Sequence, residues 1–554
     1  MLNAYPDSLG GRLSDIVNFL QDDLVQGCFE SLYCLPSVFN TDLDRGFSVI
    51  DYELNDLFAS KTDLEALKAL GIDLKFDFIL NHASVLSKEF QDIIKHGERS
   101  PYVDFFIDWN KFWAGHGQMN EEGFIEPYEA LIQDMFFRKP GLPILKVRFP
   151  SGEEVPYWNT FYQEVKYNKI DTLSLMKGID IQFNSAEAVT LLVNGQLDLG
   201  IKPSELAFGQ FDQYREQVID FIESKRNYLG QMDLNIKSPL VWKFYEETLN
   251  KLSDYGAQIV RLDAFAYAPK AVGERNFFNE PGTWEVLDRL KIMADQVGVK
   301  LLPEIHTSYK DKMHEKIAEK GFMTYDFFLP GLIIDAFENH NAGHLKDWIQ
   351  DIVDQDIKTV NMLGCHDGIP LLDLKGILKD EQIENLINIV VDRGGYVKDL
   401  HGKKNLYYQV NATYYSALGE DDAKLLLARA IQMFMPGKPQ VWYLDLFAGK
   451  NDHEAVVIAG EGGHKEINRT NLTKETIAKG MKTQLVQDQL ELLKFRNEFP
   501  AFGFDAQVDV LESSKHQLTI RYKNNGHEAI LYADLLAYTY RIEAFDSEKR
   551  GIEI

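Results

Sequence analysis

The sequence predicts an α/β protein: a (β/α)8 TIM barrel with inserted loop-rich subdomains and a small C-terminal β domain. Three observations lead there. Eight short apolar runs recur along the chain, with amphipathic segments between several of them. Two of the spacings between runs are far too long for a simple crossover. Beyond Pro500 the pattern changes to short alternating runs.

The eight runs are Leu2 to Tyr5, Ser31 to Leu35, Leu74 to Leu80, Gln258 to Leu262, Lys300 to Ile305, Met323 to Leu329, Thr359 to Leu363 and Gln440 to Leu444. Each is bounded by turn residues, as a buried strand is. Lys61 to Leu70, Ser238 to Leu252, Thr283 to Gln296 and Asp422 to Met435 carry apolar residues at helical spacing. Strands alternating with helices imply βα units and a parallel sheet, and eight such units close a barrel.

Residues 83–232 exceed any ordinary βα connection and are expected to form an inserted subdomain, with a further insertion at 167–227. A second loop-rich excursion is expected at 369–418. The barrel then takes 1–82, 233–368 and 419–500. Residues 501–554, with the runs Leu518 to Tyr522, Ala529 to Ala533 and Thr539 to Ile542, make the β domain.

With 554 residues, 45% of them hydrophobic and 12% aromatic, the chain has the composition of a packed globular protein. Its net charge of −27 speaks against a nucleic-acid partner, because a phosphate backbone calls for a basic surface. Cys28, Cys34 and Cys365 have neither disulfide-framework nor zinc spacing and fit a reducing compartment. The start, MLNAYPDSLGG, lacks the basic and apolar regions of a signal peptide, and no apolar run reaches the length of a membrane span. The expectation is a cytoplasmic protein with no membrane partner. A homodimer is allowed but not dictated.

Four of the runs end in polar pairs. Arg261 and Asp263 lie two apart on one strand and share a face, as do Glu304 and His306. FDFILNH ends in Asn81-His82, and NMLGCHDG brings His366-Asp367. In a barrel of this kind the carboxyl ends of the strands converge on one mouth, where catalysis is built. Arg261 is expected to keep Asp263 ionised, whereas Glu304, following Pro303 among apolar residues, is expected to stay protonated. An ionised and a protonated carboxyl roughly 5 Å apart form the retaining glycosidase arrangement. Taken singly, Arg261–Asp263 reads as a structural ion pair, and His82, His306 and His366 read as structural histidines. Cys365 reads as an inert buried thiol. The coincidence of all four pairs at strand ends favours chemistry. No H-x-H on the first strand and no other metal-ligand spacing supports a metal site.

ILNH, VRLDAFAY, PEIH and CHDG, in that order, resemble the four signature regions of the α-amylase family, glycoside hydrolase family 13. YPDSLGG, DRGFSVIDY at 44–52, QVNATYYSALG at 409–419, PGKPQVWYLDLFAGKND at 436–452 and EINR at 466–469 extend the similarity to its sucrose phosphorylase subgroup. The similarity covers most of the chain, excepting Tyr167 to Asn227 and much of the C-terminal end. It implies that Asp263 is a nucleophile, Glu304 an acid/base and Asp367 a transition-state stabiliser. It implies that His82, His366 and Arg261 hold glucosyl hydroxyls and position the nucleophile. Asp44 and Arg469 would grip the 4- and 6-side of the sugar, with Phe47 lining that subsite, and Gln231, Tyr267 and His306 would face the acceptor.

The reaction so implied moves an α-glucosyl unit to inorganic phosphate through a covalent glucosyl-enzyme, with no cofactor. An acidic protein that handles phosphate needs local cations. The resemblance assigns that part to Arg138 and Lys139 in FFRKPGLP, with Tyr408 and Gln409 in the opposite loop. One departure bears on the leaving group. In KNLYYQVN, Leu406 stands where sucrose-specific members carry an aspartate. Sucrose, its 6′-phosphate, glucosylglycerate and glucosylglycerol all stay open as donors. So does a retaining α-glucosidase or transglucosidase.

Overall fold

The computed structural model describes residues 1–138, 141–399, 407–460 and 462–552. Its centre is an eight-stranded parallel sheet. In chain order the strands are β1 (Leu2–Ala4), β2 (Ser31–Cys34), β3 (Asp73–Ile79) and β4 (Ala257–Asp263), then β5 (Lys300–Pro303), β6 (Thr324–Asp326), β7 (Thr359–Met362) and β8 (Lys438–Trp442). Hydrogen-bonded neighbours run β5-β4-β3-β2-β1-β8-β7-β6. That is chain order wrapped into a ring, with its seam between β5 and β6, so the sheet is a nearly closed barrel.

All eight expected runs are strands. The boundaries differ where helical turns compete: β6 stops at Asp326 because Leu329–Asn339 is a helix with Pro330 in its first turn, and β8 begins at Lys438 with Tyr443–Leu446 already helical. The expected helices form at Lys61–Ala69, Pro239–Asp254, Gly282–Val297 and Asp422–Phe434. The first is fixed by a reciprocal cap between Ser60 and Asp63.

The interior of the barrel is unusually polar for a layer normally filled by branched apolar side chains. Lys75 Nζ donates to the Tyr325 hydroxyl at 2.5 Å and to Gln440 Oε1 at 2.8 Å, and lies 3.9 Å from the centre of the Tyr33 ring. The Tyr33 hydroxyl donates to both oxygens of Asp77, at 2.8 and 2.9 Å. Burial pushes the Lys75 amine well below its ordinary range. Strands β2, β3, β6 and β8 are thus tied together inside the barrel by buried hydrogen bonds.

Between β3 and β4, strand Asn227–Asp233 pairs antiparallel with both His82–Ser84 and Gln163–Lys166. Lys166 and Asn227 are register partners at the tip of this hairpin. The segment between them folds into helices Thr172–Gly178, Phe183–Leu197 and Arg215–Glu223 around a core of its own, including Leu175, Val189, Phe208 and Val218. Between β7 and β8, where a loop-rich excursion is expected, the chain also forms the 13-residue helix Asp380–Asp392 and the hairpin Tyr396–Asp399/Tyr407–Asn411. The C-terminal sheet is a five-stranded antiparallel meander from Gln507 to Ile552. All three cysteines are free and buried, and no helix among the described residues is long and apolar enough to cross a membrane.

Candidate active site

Strand β4 delivers Arg261 and Asp263 to the same face, and the chain then turns sharply at Ala264, whose φ is 51°. One strand over, the Glu304 amide donates to the Leu262 carbonyl at 3.2 Å, which sets Glu304 beside the end of β4. Asp367 follows β7, with its carbonyl accepting from Asn411 Nδ2 at 2.6 Å. The three carboxylate side chains are 13%, 12% and 15% exposed for Asp263, Glu304 and Asp367. Each is therefore mostly desolvated yet reachable.

A single guanidinium organises two of them. Arg261 Nη1 lies 2.5 Å from Asp77 Oδ1 and 2.8 Å from Asp263 Oδ1, while Nη2 lies 2.6 Å from Glu304 Oε1. The third is flanked by two cations and by a histidine that burial pushes towards its neutral form. Lys465 Nζ is 2.6 Å from Asp367 Oδ1, His366 Nε2 is 3.2 Å from Oδ2, and Arg469 Nη2 is 4.0 Å from Oδ1.

The protonation of the pair differs from the expectation. Burial would raise Glu304, but Arg261 and His306 overcome it and hold the carboxyl at about 2. Burial raises Asp263 well above the usual range, and the charges of Glu304, Asp77 and Asp367 add to the effect against Arg261. Three acids around one guanidinium cannot all ionise cheaply, and the site pushes Glu304 down and Asp263 up. The expectation that Glu304 is protonated failed because its two cationic partners, Arg261 from β4 and His306 on the loop after β5, cannot be read from its apolar neighbours in sequence.

His306 stacks 3.8 Å from Phe327, with Nδ1 3.0 Å from Asp373 and Nε2 3.4 Å from Glu304. Burial would lower it, yet Asp373 and Glu304 raise it to about 9. His82 is the opposite case, brought down to about 4 by burial. Its Nε2 lies 3.0 Å from the Phe47 carbonyl, which only accepts, so Nε2 carries the proton. Gln231 Nε2 donates to the same carbonyl at 3.1 Å. Those two contacts fix Phe47, whose ring stacks on His366 at 4.9 Å.

Asp44 lies 3.7 Å from Arg469, and the Arg469 Nε donates to the His366 carbonyl at 2.9 Å. The Asp44 loop depends on Gly46: its φ is 118°, and a Cβ there would sit 2.3 Å from the Ser37 amide nitrogen. Arg138 Nη1 is 3.4 Å from the Tyr267 hydroxyl and lies over Phe161, which also packs on Tyr267 and His82. Gln409 is buried on the Tyr407–Asn411 strand. Lys139 and Leu406 lie outside the described residues, and of Tyr408 only its place in that strand is described.

Asp77, Phe161, Asp373, Asn411 and Lys465 belong to this cluster and are absent from the expected set. Asp77 carried a signal, lying on the strand that runs into Asn81-His82 and sharing a face with Ile79, and Lys465 immediately precedes EINR. Phe161 and Asp373 carried none. Chemically, the arrangement alternates carboxylate acceptors with cationic donors beside the rings of Phe47 and Phe161, which suits a neutral polyhydroxylated ring. Among the described residues no group of three or more His, Cys, Asp or Glu side chains is arranged to hold a metal ion.

No family model matches the chain. It is 49% identical over 551 residues to a sucrose 6(F)-phosphate phosphorylase of Ilumatobacter coccineus, covering 98% of this chain and 95% of that one. It is 32% identical to a sucrose phosphorylase of Streptococcus mutans, covering 99% and 97%. The crystal structure of sucrose 6F-phosphate phosphorylase from Thermoanaerobacter thermosaccharolyticum superposes with a TM-score of 0.80 at 32% identity, covering 100% of this chain and 96% of that one.

Proposed function

We propose that this chain, which belongs to the sucrose phosphorylase-like subgroup of the α-amylase family, transfers an α-glucosyl unit from a sucrose-like donor to inorganic phosphate. The observation that carries the proposal is the Arg261 fork, which holds Asp263 and Glu304 on one guanidinium next to the cation-capped Asp367.

In the first displacement Asp263 attacks the anomeric carbon while Glu304 gives its proton to the departing oxygen, so the C–O bond breaks as the C–Oδ bond forms. This needs the proton on Glu304. Donor binding that draws Arg261 Nη2 off Glu304 removes the charge that holds this carboxyl down and lets it carry the proton, with Asp263 ionised on Nη1. His306 keeps the proton it shares with Asp373. In the second displacement phosphate attacks the glucosyl-enzyme from the vacated face, and two inversions give α-glucose 1-phosphate. Asp367, stripped of most of its water, stabilises the positive charge that develops on the ring.

Sucrose 6′-phosphate is the donor we favour over sucrose. Arg138 stands at the Tyr267–Phe161 edge of the cluster, where a phosphorylated leaving group would find a cation. The 49%-identical relative carries that specificity in its name. The three free, buried cysteines support a cytoplasmic location.

The test is release of α-glucose 1-phosphate from sucrose, its 6′-phosphate, glucosylglycerol and glucosylglycerate, with and without phosphate. Turnover should require phosphate and be highest with sucrose 6′-phosphate, and Asp263→Asn should abolish it with every donor. Glucose released at the same rate without phosphate would replace this reading with a retaining α-glucosidase. Preference for another donor would overturn only the leaving-group assignment.

A further inference from the structure

Two cations, Lys465 and Arg469, and the imidazole of His366 surround Asp367, and the three are not equivalent. Arg469 is 2% exposed and His366 5%, and both are pinned: Arg469 by the His366 carbonyl and by Glu466, His366 by the stacked ring of Phe47. The Lys465 side chain is 36% exposed. It reaches Asp367 from a helical turn, Gly463–Asn468, that is seated by the fully buried Ile467 and entered through Gly460 and Gly462, both at positive φ with open space where a side chain would go. Of the three contacts to Asp367, that of Lys465 is the one able to open.

The chemistry of the pair limits what can open it. A carboxylate only accepts hydrogen bonds and an ammonium only donates them. A group entering between the two must therefore donate to one side and accept from the other. A sugar hydroxyl does both with a single oxygen. Water does the same, but a ring that brings the hydroxyl in a fixed position pays no separate cost for ordering it.

We propose that Lys465 is a glucosyl-binding residue: its ion pair with Asp367 closes the free site, and one ring hydroxyl inserts between the two, donating to Asp367 and accepting from Lys465. This rests on the glucosyl-transfer reading above and adds a specificity determinant to it. The pair then discriminates in two ways. Lys465 rejects sugars lacking that hydroxyl, because the mostly desolvated carboxylate and the ammonium would fall back together. It also keeps Asp367 charge-balanced in the absence of substrate.

The experiment compares kcat/KM of wild type, Lys465→Met and Lys465→Arg on α-glucosyl fluoride, on its four monodeoxy forms and on α-glucose 1-phosphate. Loss of a charge-assisted hydrogen bond should lower kcat/KM by about tenfold or more in Lys465→Met, with partial recovery in Lys465→Arg. The factor should be the same for the fluoride and the phosphate ester, because both deliver the same glucosyl unit. One monodeoxy form should be a poor substrate for wild type and carry little further penalty in Lys465→Met, the signature of two changes that remove one contact. Full additivity at all four positions would overturn the proposal, as would a loss confined to the phosphate ester. Fluoride turnover needs neither phosphate nor a particular leaving group, so it reads Lys465 even where phosphorolysis fails. Calorimetric titration of glucose into Asp263→Asn and into its Lys465→Met double variant repeats the comparison as binding.

Discussion

Arg261 and Asp77 are register partners on neighbouring barrel strands, and their buried side chains meet at 2.5 Å. The same guanidinium holds Asp263 and Glu304. Asp77 also accepts from Tyr33, so the carboxylate cluster and the polar interior of the barrel share one carboxylate.

Asp77→Asn should therefore damage stability and chemistry together. Breaking one side of a buried ion pair costs about 3–5 kcal/mol, which urea unfolding would read directly. Activity of the fraction that stays folded should fall by more than tenfold as Arg261 loses its footing. A variant as stable as wild type would mean that the pair contributes position without net energy.

Glu304→Gln separates acid catalysis from nucleophilic attack. With a sugar leaving group, kcat should drop by about 10²–10⁴, since the amide cannot protonate the departing oxygen. With α-glucosyl fluoride, whose leaving group needs little help, the first step should be largely spared. Equal losses on both donors would remove Glu304 from the acid role.

His306 links stability to pH. Its folded value of about 9 lies above the unfolded 6.5, so its contribution is complete below pH 6.5 and disappears as pH rises through 9. The shift corresponds to about 3 kcal/mol. The stability gap between wild type and His306→Gln should be widest on the acid side and close by that order as the pH climbs. A gap that stays constant from pH 6 to 10 would show that His306 does not titrate in this range.

The helical insert should be removable. Lys166 and Asn227 face each other in an antiparallel register, so a two-residue turn such as Asn-Gly can join them once residues 167–226 are deleted. Because the deleted helices pack around their own core, the barrel should retain a cooperative melt and turnover of α-glucosyl fluoride. Loss of the melt would show that the insert supports the barrel.

The barrel was legible in sequence because each strand is a short apolar run with turn residues at its ends. The cluster of carboxylates was legible where polar pairs close those runs, as at Arg261-x-Asp263. Periodicity says which residues share a face but not where that face points. In Leu74-Lys75-Phe76-Asp77 the alternation would suit a strand with charges in water, yet Lys75 and Asp77 are both fully buried in the barrel. Protonation was misjudged for the same reason, since Glu304 takes its charge from Arg261, 43 positions earlier in the sequence. Phe161 and Asp373 sit on segments with no strand-end grammar and become visible only in three dimensions.

A polar barrel interior has an evolutionary consequence. In a greasy barrel a lineage can discard its catalytic arginine and survive as an inert scaffold, because the layers beneath do not notice. Here the chain from Lys75 through Tyr33 and Asp77 ends on Arg261, so drift at the chemical centre leaves charges stranded in the interior. Descendants that abandon catalysis must rebuild that interior as well, and pseudoenzymes should be scarce on this branch.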